Sequence, residues 1–257
     1  MTCFRQFPGR AFLSFAMAMA MAVQAPAFAA DIAVLSAGAI EPGLKAAAKA
    51  FEKQTGNAIK ITFNTAPELR KRLEGNAAFD VVIAPPTVIS DFAAVGKLAC
   101  ARANVGRVGL GVAVRDAAPV PDISTADALK ASVLAAESLV FNRASTGLYL
   151  EGLLKKMDVH TQIESKTTRY ADGASVLEHV SKGTGREIGF GAMTEILAFT
   201  GKGLKLVGPL PADIQNYTSY TAAPLASSAS PALAQEFDNF LRGPVGKPLF
   251  VAAGITD

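Results

Sequence analysis

Two cysteines and two histidines are all that the 257-residue chain has of the side chains that close disulfides or hold transition metals. Cys3 lies ahead of an apolar N-terminal run, so only Cys100 would remain once that run is removed. A single thiol closes no intramolecular disulfide. The same scarcity argues against a zinc-type centre built from His and Cys, and no metal or other cofactor is expected. Charge of one sign is also missing: 25 Lys and Arg stand against 22 Asp and Glu. Losing Arg5 and Arg10 with the leader leaves 23 basic against 22 acidic residues, a net charge of +1. Without a basic stripe or interleaved aromatics, nucleic acid is not an expected partner. No Gly-x-Ser-x-Gly elbow, phosphate-binding loop or Cys/His pair is present, which removes the commonest hydrolase and nucleotide-dependent classes.

The first residues do carry a pattern. Arg5 and Arg10 make a positive start, Ala11 to Val23 is uncharged and apolar, and Ala27-Phe28-Ala29 fits a small-x-small cleavage site. This is the layout of a secretory signal peptide, expected over residues 1–29. The run is shorter than the roughly 20 residues that span a bilayer, and no later run replaces it. No cysteine sits at the expected cut to take a lipid anchor. The mature chain, about 228 residues, is therefore expected to be soluble in a periplasm-like compartment and large enough for two lobes.

Beyond the leader the chain repeats one grammar. Asp31 to Leu35 reads as a strand, closed by the small-residue turn Ser36-Ala37-Gly38-Ala39, and Ile40 to Gln54 as a helix with Pro42 in its first turn. Ile59 to Phe63, the turn Asn64-Thr65-Ala66-Pro67 and a helix over 68–73 repeat it. Asp80 to Ala84, Pro85-Pro86 and a helix over 87–95 repeat it again. Strand, small polar turn and helix in succession predict an α/β fold with a mostly parallel sheet flanked by helices. The ligand crevice of such a sheet lies at the carboxyl ends of its strands, where these turns gather. The Gly-rich strand Val108 to Val114 suits a crossing between lobes, and a second crossing is expected over 217–225.

One stretch concentrates the polar chemistry. The apolar strand Ser138 to Phe141 runs into Asn142-Arg143-Ala144-Ser145-Thr146-Gly147, and Leu148, Leu150, Leu153, Leu154 and Met157 follow at helical spacing. A guanidinium, two hydroxyls and a helix amino end then meet in one turn, which suits an anion and above all a planar carboxylate. The same residues also read as an ordinary helix cap with Arg143 in solvent.

The order of these segments carries a resemblance. The opening strand and its turn, Asn142 to Tyr149, Ile188-Gly189-Phe190-Gly191-Ala192-Met193-Thr194, Val207-Gly208-Pro209-Leu210-Pro211 and Phe237 to Gly246 occur in a sequence similar to that of the type II periplasmic solute-binding proteins. The branch of molybdate-binding proteins is the most similar. The resemblance implies two α/β lobes, one of residues 30–112 and 222–257 and the other of 113–221, closing over a small anion. Turn positions where molybdate binders place hydroxyls fall here near Ala39 and Ala66, and their cleft tyrosine falls near Ala192. The candidate ligand-binding residues are Ser36, Ala37, Gly38, Thr65, Ala66, Arg107, Arg143, Ser145, Thr146, Arg169, Tyr170 and Tyr217. Asn216, Thr218 and Tyr220 share the second crossing with Tyr217, and either tyrosine could face the cleft or the core. Arginines favour an organic di- or tricarboxylate over a small tetrahedral oxyanion.

The expected function is capture of such a carboxylate for a membrane transporter complex, by a monomer. The alternative is an isomerase on the same fold, of the type that interconverts cis- and trans-aconitate. Glu195 or Asp172 would then be the base, and each also reads as a helix cap or first-turn acid.

Overall fold

The computed structural model describes residues 31–99 and 102–257. The expected leader and Cys100 lie outside the described residues. Strands β1 (Asp31–Ala37), β2 (Ala58–Asn64) and β3 (Val81–Ala84) alternate with helices α1 (Glu41–Thr55), α2 (Ala66–Glu74) and α3 (Pro86–Ala94). The long strand β4 (Ala103–Arg115) leads into α4 (Ala126–Ala135), β5 (Ser138–Asn142), α5 (Ser145–Lys156), the short α6 (His160–Ile163) and β6 (Thr167–Tyr170). Helix α7 (Gly173–Lys182), β7 (Glu187–Ala192), α8 (Met193–Phe199) and β8 (Leu204–Pro209) follow. The chain closes with β9 (Tyr217–Pro224), α9 (Pro231–Arg242) and α10 (Gly246–Ala252). Strand β8 has no counterpart in the pattern read from the sequence, where its residues figured only as a Gly-Pro motif.

The strands form one curled sheet in the order β2-β1-β3-β9-β4-β7-β5-β6, with β8 also paired to β4. Pairing inside each lobe is parallel, β1 with β2 and β3, and β5 with β6 and β7. The strands that join the lobes run the other way: β9 is antiparallel to β3 and β4, and β4 is antiparallel to β7 and β8. Strand β4 changes partners in mid-course. Up to Gly109 it pairs with β9, and from Leu110 with β7 and β8. The apolar core divides at the same point, with Val105 and Val108 in the first lobe's cluster and Leu110, Val112 and Val114 in the second's. Both halves of the molecule are thus threaded on one continuous strand.

Local sequence accounts for the elements. Strand β3, Val-Val-Ile-Ala, is buried along its whole length, as a strand covered on both faces must be. Helix α1 buries Leu44, Ala47, Ala48 and Phe51 on one side and ends at Gly56, whose φ of 77° is the left-handed conformation that terminates helices. The Phe51 ring meets Phe237 and Phe240 edge-on at 5.1 and 5.3 Å, which fastens the C-terminal α9 to the first lobe. Gly111 in β4 is a close-approach glycine. A Cβ there would lie 2.9 Å from Met193 Cγ and 3.1 Å from Ile196 Cδ1, so α8 settles directly on the crossing strand. Among the described residues no helix is long and apolar enough to cross a membrane.

One buried carboxylate ties the first lobe together. Asp80, 7% exposed, accepts from Ala33 N–H at 2.9 Å, Ser228 Oγ at 2.6 Å, Ala229 N–H at 3.1 Å and Ser230 N–H at 3.3 Å. It thereby joins β1 to the turn that starts α9. Asp80→Ala strands several buried donors at once and is expected to destabilise the fold by roughly 3 kcal/mol, measured by urea unfolding.

Candidate functional site

The turns that follow β1, β2, β3, β5, β6 and β7 open on a cavity of about 240 Å³ between the lobes. The first lobe contributes Ala37, Gly38, Ala39, Glu41, Asn64, Thr65, Ala66 and Pro85. The second contributes Asn142, Ser145, Thr146, Asp172, Gly173, Ala192 and Glu195, and Tyr220 of β9 lies in the wall between them. Ala39, Ala66 and Ala192, the three small residues noted from the sequence, are all part of this surface.

Helix amino ends supply its polarity. Helices α1, α2 and α5 begin beside the cavity, and none has a side-chain cap. First-turn N–H groups have no acceptor inside their own helix, so those of α2 and the Ser145 and Thr146 N–H groups of α5 remain available to an anion, whereas in α1 Glu41 N–H donates to Gly38 O and Pro42 has no N–H. The α5 turn is shaped from within by Asn142, 4% exposed. Its Oδ1 accepts from Ala144 N–H at 2.9 Å, Thr146 Oγ1 at 3.2 Å and Gly147 N–H at 3.3 Å. Gly147 packs so tightly on the Asn142 carbonyl that any Cβ would overlap it. The amino end of α7 differs, because Asp172 caps it, accepting from Ser175 N–H at 2.8 Å and Ser175 Oγ at 3.0 Å.

Among the described residues no lysine or arginine lines the cavity, and the arginines singled out from the sequence stand elsewhere. Arg143 is exposed: its N–H continues the sheet to Tyr170 O at 2.8 Å, and successive side chains of a strand point to opposite faces. Asn142 therefore faces the cavity and Arg143 the solvent. Arg169 grips Glu164 with two bonds of 3.0 and 2.7 Å and lies over the Phe141 ring at 5.1 Å. The guanidinium of Arg107 stacks on Tyr217 at 4.6 Å, and its backbone exchanges bonds with Thr256. Neither Arg107 nor Tyr217 lines the cavity. Tyr170 gives its hydroxyl to a 2.8 Å bond with His179 Nδ1, and Ser36 is fully buried with Oγ bonded to Ala37 O. Ala37, Gly38, Thr65, Ala66, Ser145, Thr146, Asp172 and Glu195 do come together as read from the sequence. Of the two crossing tyrosines left open by the sequence it is Tyr220 that lines the cavity, and Asn142, read only as part of its turn, lines it too. Strand alternation was the signal that could have chosen Tyr220 over Tyr217 and Asn142 over Arg143.

Glu195 is the ionisable group most altered by this setting. It occupies the third position of α8, and its carboxyl accepts from Ala192 N–H, the reach-back half of a capping box. Burial pushes its pKa from 4.5 up to about 7, against the pull of that hydrogen bond, and the charges of Asp172 and Glu41 push the same way. The phenol of Tyr220, 4% exposed, is raised too, first by burial and then by Glu195, so it stays protonated.

A carboxyl whose pKa is higher in the folded than in the unfolded chain stabilises the fold at low pH, and that contribution is lost as pH rises toward and past about 7. Glu195→Gln keeps the acceptor for Ala192 N–H and removes the charge. It is expected to match the wild type in stability at pH 4 and to exceed it above pH 8 by on the order of 2–3 kcal/mol, read from thermal or urea unfolding.

Comparison with known proteins agrees with this architecture. The family model described as bacterial extracellular solute-binding protein matches residues 32–256. A relative from Pseudomonas sp, aconitate isomerase, is 30% identical over 219 residues, covering 82% of this chain and 81% of its own. The periplasmic molybdate-binding protein of Azotobacter vinelandii superposes with a TM-score of 0.71 at 18% identity, covering 88% of this chain and 99% of that one. The sulfate-binding protein SubI of Mycobacterium tuberculosis gives 0.71 at 17% identity, covering 88% and 86%. These two likenesses establish the two-lobed fold. The match along nearly all of the described chain places the protein in the family of bacterial extracellular solute-binding proteins.

Proposed function

We propose that the protein binds a small unsaturated polycarboxylate in the interlobe cavity and moves a proton along it, as an allylic isomerase of the aconitate type. The observation that carries this reading is Glu195: a carboxyl pushed toward neutrality in the wall of a cavity onto which the free amino ends of α2 and α5 open. A protein that only captures an oxyanion has no use for a proton-transfer group, and an ionised acid would repel its ligand. The relative from Pseudomonas supports the substrate class.

The chemistry follows from the groups present. Substrate carboxylates take the free N–H groups at the starts of α2 and α5, with the Tyr220 hydroxyl as a further donor. Ionised Glu195 removes a proton from the methylene carbon beside the double bond. The electron pair spreads over the allylic carbons into the adjacent carboxylate, where helix amino ends stabilise the added charge. The carboxyl exchanges this proton with solvent and then delivers a proton to the far allylic carbon, so the double bond shifts and the substrate's atom count is unchanged. Asp172, with its oxygens engaged by Ser175, serves the fold rather than the proton shift.

Family membership favours a second reading, delivery of the bound carboxylate to a membrane transporter from the periplasm. Both readings are separated by mixing the mature chain with cis- or trans-aconitate and following proton NMR, with citrate and molybdate as binding comparisons. Isomerisation is expected, with kcat rising through pH about 7 as Glu195 ionises. Glu195→Gln should lower kcat by roughly 10²–10⁴-fold while retaining binding, whereas Asp172→Asn should cost about 1 kcal/mol of stability. Arg143→Ala should leave affinity unchanged. Tight binding without turnover would assign the protein to transport instead.

A further inference from the structure

Helix α8 follows β7 of the second lobe, yet its first turn is fastened to the first lobe. Thr194, 1% exposed, donates its hydroxyl to the carbonyl of Ala39, in the single helical turn Gly38–Ile40 that leads into α1. The next residue is Glu195. Its Oε1 lies 3.3 Å from where a Cβ on Gly38 would stand, and its Oε2 occupies the space a Cβ on Gly173 would take. One carboxyl thus rests against a glycine from each lobe. Gly173 has no positive φ and sits at the first position of α7, so its backbone would accept alanine; the carboxyl is what excludes a side chain there. The charged or titratable groups that bear on Glu195 are Asp172 at the start of α7, Glu41 at the start of α1 and Tyr220 from β9.

We infer that Thr194 and Gly173 are positioning residues, which fix the Glu195 carboxyl between the lobes at the place where it meets the ligand. Thr194 acts as a pin across the cleft, and Gly173 supplies the vacancy into which the carboxyl fits. Neither needs to touch the substrate. The inference rests on the isomerase reading for its catalytic consequence and on the geometry alone for the placement of the carboxyl.

Two readouts keep these apart. Carbon-13 NMR of the mature chain labelled at glutamate side-chain carboxyls follows the titration of Glu195, assigned by its loss in Glu195→Gln, whether or not the protein turns anything over. Wild-type Glu195 should titrate at about 7. Thr194→Val, which keeps the shape and removes the donor, should make it about tenfold more acidic and lower kcat for aconitate more than it alters KM. Thr194→Ser should restore both. Gly173→Ala should displace the carboxyl by the opposite route and give the same two changes. Unchanged titration in folded Thr194→Val and Gly173→Ala overturns the inference. If the wild type proves unable to isomerise aconitate, the isomerase reading fails by itself, and the titrations of these variants still decide the placement.

Discussion

A half-buried carboxyl group between two lobes is the constraint on which the site depends. Glu195 lies where α8, the turn after β1 and the start of α7 meet, with a glycine on each side of it. Desolvation there keeps the group close to the point of gaining or losing a proton at neutral pH. Such a group is costly to the fold when ionised. Its presence in a cavity that no described lysine or arginine lines is what supports the proposal that it acts on the ligand rather than holding it. In that proposal the holding falls to the helix amino ends, because their N–H groups attract anions without adding a mobile charge.

The fold arranges this meeting with little special sequence. Parallel strands deliver all their turns to one edge, so α1, α2, α5, α7 and α8 begin near a common point. Strand β4 passes through both lobes and exchanges partners after Gly109, which sets the cavity over the crossing. Gly111 then admits α8 onto that strand, and the hydroxyl of Thr194 ties the helix back to the first lobe. The small residues Ala39, Ala66 and Ala192 line the cavity without filling it.

Much of the architecture was legible in the residues, because strand-turn-helix repetition, Pro42 at a helix start and the Gly-rich crossing each have a direct physical consequence. Strand β8 was not, since Gly208 and Pro209 mask its pairing with β4. For the site, the turns were identified more reliably than the side chains within them. Arg143 drew attention by its charge, but a strand places neighbouring side chains on opposite faces, and it is Asn142 that turns inward. Arg169 and Arg107 are committed to Glu164 and Tyr217, contacts between segments distant enough in the chain, or ambiguous enough in direction, that composition could not assign them. Glu195 was recognisable as a first-turn acid after the Gly-Phe-Gly strand, while its burial against Gly173 required the fold.

The most direct measurement of the central claim is solvent exchange. The protein is incubated with trans-aconitate in deuterium oxide, and the carbon-bound protons are followed by NMR. Proton abstraction by Glu195 predicts loss of the methylene signal with deuterium appearing at both allylic carbons, and no such exchange in Glu195→Gln. Tight binding of the ligand with its carbon-bound protons intact would contradict the account and leave a solute-capturing protein in its place.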